Sequence, residues 1–115
     1  MVARNRSRQP REISGSFGQV LDLLGRRWAL FILWELAAAT MTFRELRAAC
    51  GNPSPSVLQR RLHELRAMGV VEHLPGHGYR LSLRGAELDT LLVRLERWSC
   101  GLPGAGDNVR NNIER

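Results

Sequence analysis

What most constrains this chain is the order of start and stop signals between residues 42 and 82. Thr42-Phe43-Arg44-Glu45 is a helix start: the Thr hydroxyl can accept from the backbone N–H of Glu45 while the Glu carboxylate reaches back to Thr42. The helix so begun meets Cys50-Gly51-Asn52-Pro53, where Gly51 or Asn52 can take the left-handed conformation that closes a helix and Pro53 cannot continue one. Ser54-Pro55 then opens a second helix as N-cap and first helical residue, which runs to Met68 and stops at Gly69. Val70-Val71-Glu72-His73-Leu74, the turn residues Pro75-Gly76-His77-Gly78 and the alternating Tyr79-Arg80-Leu81-Ser82-Leu83 follow as a short hairpin. A capped helix, a Gly turn, a second capped helix and a two-stranded ribbon, in that order, predict a mainly α chain with a small β-hairpin wing: a winged helix-turn-helix.

The flanks complete that fold. From Ser16, the apolar positions Phe17, Val20, Leu21 and Leu24 fall at helical spacing up to Gly25. Arg26-Arg27-Trp28 opens a further helix whose residues Trp28, Leu30, Phe31, Ile32, Leu33, Trp34 and Leu36 are apolar nearly all round, which predicts a central helix buried on several sides. Ser82 can cap a last helix in which Leu88, Leu91, Leu92, Leu95 and Trp98 form one stripe. With 115 residues there is room for one core. The expected division is an Arg-rich mobile arm at 1–14, the folded domain at 15–99 and a flexible tail at 100–115.

The formal charge is +6, and all 17 basic residues are Arg. A guanidinium pairs with phosphate in a two-pronged fashion and can pair with guanine in the major groove, although an all-Arg composition also follows from a GC-rich coding genome. On the second helix of the pair, Val57, Leu58, Leu62, Leu65 and Met68 share an inward face, leaving Ser56, Gln59, Arg60 and His63 outward. Gln suits adenine, Arg guanine and Ser several bases. Ser54, Ser56, Gln59 and Arg60 are therefore the expected DNA contacts, with Arg61 at a phosphate or an internal acid. His77 at the hairpin tip and Arg80 on its outer side are expected at the minor groove or its phosphates, and Thr42 and Arg44 at phosphate near a helix N-terminus.

At this point the residues resemble a known family. Leu21-Asp22-Leu23-Leu24-Gly25-Arg26-Arg27-Trp28, Phe31-Ile32-Leu33-Trp34-Glu35-Leu36, Thr42-Phe43-Arg44-Glu45-Leu46, Ser54-Pro55-Ser56-Val57-Leu58-Gln59-Arg60-Arg61-Leu62, Gly69-Val70-Val71 and Tyr79-Arg80-Leu81-Ser82 through Gly85 are similar to the HxlR-type winged-helix transcription regulators, relatives of the MarR and ArsR groups. The resemblance covers residues 17–98. It implies prokaryotic transcriptional control by a homodimer on a pseudo-palindromic site, with the first and last helices as the interface: Phe17, Val20, Leu88, Leu91, Leu92, Leu95 and Trp98. Thiol-sensing members carry a Cys just before the first helix, where this chain has Gly15 and Ser16, and the wing at residues 74–79 is shorter than usual in the family.

Other classes fare worse. Cys50 and Cys100 lack metal or redox spacing, no cluster of metal ligands or catalytic nucleophile with its base is visible, and neither an enzyme nor a cofactor is expected. No apolar run reaches membrane length and no signal-peptide core follows the basic N-terminus, so a cytoplasmic location and no membrane partner are expected. Trp28, Phe31, Trp34 and Phe43 read as core, with the lining of a small-molecule effector pocket as the alternative. The rival to a DNA-binding regulator is a winged-helix module that binds another protein without specific DNA binding. A basic outward face carrying Gln59-Arg60-Arg61 argues against it.

Overall fold

The computed structural model describes residues 9–104, so most of the Arg-rich arm and the end of the tail lie outside the described residues. Five helices and one hairpin follow in the order α1 (Gly15–Leu24), α2 (Ala29–Ala38), α3 (Phe43–Ala49), α4 (Pro55–Ala67), β1 (Val71–Leu74), β2 (Gly78–Leu81) and α5 (Leu83–Ser99). The winged helix-turn-helix expected from residues 42–82 is present.

Its boundaries are set by local chemistry. The Thr42 hydroxyl accepts from Glu45 N–H at 3.1 Å and Thr42 N–H donates to Glu45 Oε1 at 2.9 Å, so both halves of the capping box form. At the end of α3, Gly51 N–H reaches the Ala48 carbonyl at 3.1 Å and Asn52 N–H the Arg47 carbonyl at 2.8 Å. This is a Schellman closure, with Gly51 at φ 90°. Ser54 caps α4 by accepting from Val57 N–H at 3.3 Å, with Pro55 opening the helix. Gly69 N–H to the Arg66 carbonyl and Val70 N–H to the Leu65 carbonyl close α4 in the same way. Both helices of the pair thus begin and end on signals carried within a few residues.

The core is built by Ile32, Leu33 and Leu36 of α2, Leu46 of α3 with Cys50 at its end, and Leu58, Leu62 and Leu65 of α4, closed by Leu23, Trp28, Val70 and Val71. β1 and β2 pair antiparallel with Val71 opposite Leu81 and Glu72 opposite Arg80. Met41 adds a two-bond bridge to Tyr79 at 2.9 and 2.7 Å, a third ribbon contact that the sequence reading did not contain. A side chain at Gly78, whose φ is 107°, would run into the Met41 carbonyl, so this crossing requires glycine.

Three expectations need correction. The helix beginning at Arg26 instead starts at Ala29, because Trp28 sits in the left-handed region at φ 76° and buries its ring. α2 is buried on several sides as expected, with Leu30 and Trp34 on its open side. In α1 the buried residue is Leu23, while Phe17 and Leu21 are exposed. The stripe on α5 divides, since Leu88 and Leu92 pack on the core whereas Leu91, Leu95 and Trp98 lie one helical step round on the open side. In addition, Leu83, read as the end of the second strand, is the exposed first residue of α5 because Ser82 accepts from Gly85 N–H at 3.0 Å.

Candidate nucleic-acid interface

The inward face of α4 is settled by burial of Leu58, Leu62 and Leu65, and its consequence is an outward face of Ser56, Gln59, Arg60 and His63, all exposed. Ser54 is exposed at the head of the helix, with its hydroxyl oxygen engaged by the backbone. The side chains chosen for base contact therefore share one solvent-facing strip beginning at the α4 N-terminus. Arg66, which the sequence reading passed over, extends it: with His63, Glu72 and His73 it lines an open groove of about 600 Å³ between α4 and β1.

Arg61 departs from that strip. Its Nη1 donates to Glu64 Oε1 at 3.0 Å and its Nε to the Arg27 carbonyl at 2.9 Å, leaving the side chain 14% exposed. Of the two positions expected for Arg61, the fold adopts the internal acid. Glu64 also receives Arg26, which bonds Asp22 at 2.8 Å from its other terminal nitrogen. The neighbouring carboxylates hold the Arg26 guanidinium above its ordinary value, chiefly through the Asp22 hydrogen bond. Asp22–Arg26 and Arg61–Glu64 are local helix pairs, whereas the links that join them span 38 and 34 residues and carry no local signal.

At the head of α3, Arg44 is exposed, and the Glu45 carboxylate accepts from the Thr42 N–H. The Thr42 backbone bond, then its hydroxyl, lower the Glu45 carboxyl below its usual value. The exposed guanidinium at this helix head is that of Arg44.

The ribbon tip is a tight turn with Pro75 and Gly76 at its centre, Gly76 at φ 80° and His77 N–H on the Leu74 carbonyl at 2.8 Å. His77 is exposed there. Arg80 is half exposed and donates through Nε to Glu72 across the ribbon at 3.1 Å, which leaves its terminal nitrogens pointing off the pair. His73 stacks on Tyr79 with ring centroids 4.6 Å apart, fixing the ribbon's side.

Of the seven residues expected at a dimer interface, Phe17, Leu91, Leu95 and Trp98 are 53, 58, 52 and 67% exposed, while Val20, Leu88 and Leu92 are half-buried within the chain itself. Among the aromatic residues, Trp28 is buried and tilted against Phe31 at 5.8 Å, with the Arg27 guanidinium 5.3 Å from its ring centroid, and Phe43 packs on the core. Trp34 stands on an open face. Cys50 is fully buried and Cys100 exposed, neither in a disulfide. No described residues gather three potential metal ligands, and no described helix is long and apolar enough to cross a membrane.

A profile of the HxlR-like helix-turn-helix family matches residues 23–102. The chain belongs to that family. Curated relatives include the HTH-type transcriptional regulator YvaP of Bacillus subtilis, 32% identical over 94 residues that cover 76% of this chain and 87% of YvaP. An HTH-type transcriptional regulator of Mycobacterium tuberculosis is 35% identical over 89 residues, 72% of this chain, which spans only 56% of that longer relative. Among solved structures, the reduced form of the B. subtilis transcriptional regulator YodB matches with a TM-score of 0.70 at 25% identity, covering 84% of this chain and all of YodB. Quinone-bound YodB matches the fold with a TM-score of 0.72 at 24% identity over 78% of this chain. The chain is thus a DNA-binding transcriptional regulator of the HxlR type, not an enzyme.

Proposed function

We propose that this HxlR-family chain works in the cytoplasm as a homodimer that reads a pseudo-palindromic operator, with α4 in the major groove and the β1–β2 ribbon at the adjacent minor groove. The observation that carries the reading is the strip of Ser56, Gln59, Arg60 and His63, polar and exposed beside a ribbon bearing His77 and Arg80 on a chain of net charge +6. Gln59 and Arg60 contact base edges, Ser54 and Ser56 lie at the groove entrance, and Thr42, Arg44, His77 and Arg80 contact the backbone. The residues of the N-terminal arm add phosphate contacts without sequence preference.

Pairing runs through α1 and α5. Phe17, Leu21, Leu91, Leu95 and Trp98 are large apolar side chains left open on these two helices, the type of exposed surface that marks an association site. Two-fold pairing sets the two α4 helices about 34 Å apart, hence half-sites about 10 bp apart or a multiple of that.

YodB has been captured with a quinone bound and after diamide treatment. In this chain an oxidant or electrophile would find Cys100 exposed and Cys50 buried, so any thiol response falls to Cys100. The test of the whole reading is selection of bound duplexes from a random library, combined with sedimentation of the free protein. A two-fold motif and a dimer are expected. A library without a motif would favour the protein-binding module, and a monomer that still selects a two-fold motif would remove the α1–α5 pairing.

A further inference from the structure

Apolar packing holds α4 against the body through Leu58, Leu62 and Leu65, but such contact is in itself non-directional. Direction comes from its flank. Glu64 has both carboxylate oxygens engaged, one by Arg61 Nη1 at 3.0 Å and the other by Arg26 Nη1. Arg61 in turn grips the Arg27 carbonyl at 2.9 Å, and Arg26 extends its second nitrogen to Asp22 on α1 at 2.8 Å. Four side chains and one carbonyl from α1, the α1–α2 turn and α4 thus form one continuous chain. At its α4 end it is sheltered, with Arg61 and Glu64 side chains 14 and 20% exposed, which protects these bonds from competing water and salt. A planar guanidinium with donors on two ends fixes both distance and angle between the carboxylates it joins.

We propose that Arg26 is a positioning residue for operator recognition: by bridging Asp22 on α1 to Glu64 on α4, it fixes the roll of the recognition helix and couples it to α1. The inference rests on the assignment of α4 as the DNA-reading helix. Both terminal nitrogens of Arg26 are engaged by carboxylates, Asp22 and Glu64, rather than left free for a base. Its effect passes through Glu64, which follows Arg60 by one turn, so a small roll of the helix moves the Gln59 and Arg60 side chains relative to base edges. Backbone contacts tolerate such a shift far better than paired hydrogen bonds to a base. Because α1 is also an element of the proposed dimer interface, a change in how two copies meet would reach α4 through the same bridge.

The experiment uses the full-length chain with its selected operator and a random duplex, and the variants Arg26→Met, Arg26→Lys and Asp22→Asn, each assayed well below its own melting midpoint. Arg26→Met is expected to weaken operator binding by about tenfold, within the usual range of coupling between sites, with random-duplex affinity and its salt slope nearly unchanged. Arg26→Lys restores the charge but not the two-ended fork, and so is expected to remain closer to the Met variant than to wild type; Asp22→Asn is expected to lose operator affinity by a smaller factor in the same direction. Full recovery by Lys would show that charge alone matters and overturn the bridge. Parallel loss on both duplexes, with the salt slope reduced by about one, would make Arg26 a phosphate contact instead. Unchanged operator preference in Arg26→Met overturns the positioning role alone, whereas a wild-type chain with no preferred duplex overturns the DNA-reading assignment and this inference with it.

Discussion

Replacing Gly85 by Ala is a sharp test of the packing, because helix propensity and tertiary structure predict opposite signs. Within a helix, Ala in place of Gly stabilises by about 0.5–1 kcal/mol. Gly85, however, is the third residue of α5 and is buried where the helix crosses the ribbon, and a Cβ built there would collide with the Val70 carbonyl oxygen and lie 3.1 Å from Leu81 Cβ. The collision cannot be relieved by rotating a side chain, since the obstacle is backbone. Moving α5 away stretches two bonds at once: Ser82 N–H to that same Val70 carbonyl at 3.0 Å, and the Ser82 hydroxyl cap on Gly85 N–H at 3.0 Å. A lost cap costs about 1 kcal/mol and a lost hydrogen bond about the same. Together they outweigh the propensity gain, for a net destabilisation of about 1–2 kcal/mol, and of order 5–15 °C in melting midpoint for a domain of this size. Gly18→Ala is the control: on α1 its Cβ would meet only Ile13 Cγ2 at 3.8 Å, ordinary van der Waals contact, so it should raise the midpoint by a few degrees. Thermal unfolding followed by circular dichroism at one fixed protein concentration reads both. A midpoint for Gly85→Ala at or above wild type would mean that α5 does not approach Val70 this closely.

The other expectations are these. Gln59→Ala and Arg60→Ala should each cost about 1–3 kcal/mol on the selected operator and relax preference at one or two base pairs, with little effect on random DNA in titrations by fluorescence anisotropy. Arg61→Ala should lower the melting midpoint and weaken both duplexes together, because it removes the Glu64 and Arg27 contacts; wild-type melting would contradict the inward placement. For Glu45, whose folded carboxyl lies below its usual value, the stabilisation is present above about pH 4.5, the reference value, and is lost as pH falls through the lower folded value. Glu45→Gln should therefore flatten the acid limb of stability against pH, and an unaltered limb would place that pH dependence on other carboxyls. Trp98→Asp should shift the dimer toward monomer in sedimentation at micromolar concentration, whereas an unchanged dimer would move the interface away from α5.

The parts of this fold that could be read from sequence are those whose cause lies within a few residues. The Thr42–Glu45 box, the Gly51 closure, Ser54-Pro55 and Gly69 each carry their own conformational instruction, and all are found where expected. Periodicity also gave the correct inner face of α4, since one helix packed on one core leaves a single apolar side. It served less well where an element meets several neighbours. On α5 the five apolar positions look like one stripe, yet only Leu88 and Leu92 face the chain's own core, and whether Leu91, Leu95 and Trp98 are covered depends on a second molecule that no periodicity encodes. The apolar neighbours of Trp28 suggest a helical residue. Its φ of 76° comes from the tight turn at residues 25–28, in which Arg26 and Arg27 are drawn toward α4 by partners far along the chain.

A net charge of +6 carried entirely by Arg argues for nucleic acid in bulk, but it does not say which guanidiniums are available. Arg47 is turned onto the Pro53 carbonyl at 2.8 Å, Arg26 and Arg61 meet at Glu64, and Arg80 is paired with Glu72. Arg47 braces the α3–α4 turn, Arg26 and Arg61 join α4 to the α1–α2 turn, and Arg80 bridges the two strands of the ribbon. Arg44, Arg60 and Arg66, by contrast, project from α3 and α4 with no side-chain bond to another described residue. The same residue type thus falls into two groups, one bonded within the fold and one open to solvent on α3 and α4. Their separation explains why Arg60 and Arg61, adjacent in sequence, should differ so sharply when replaced: a step of 100° around α4 carries the guanidinium from the open strip to the Glu64 flank.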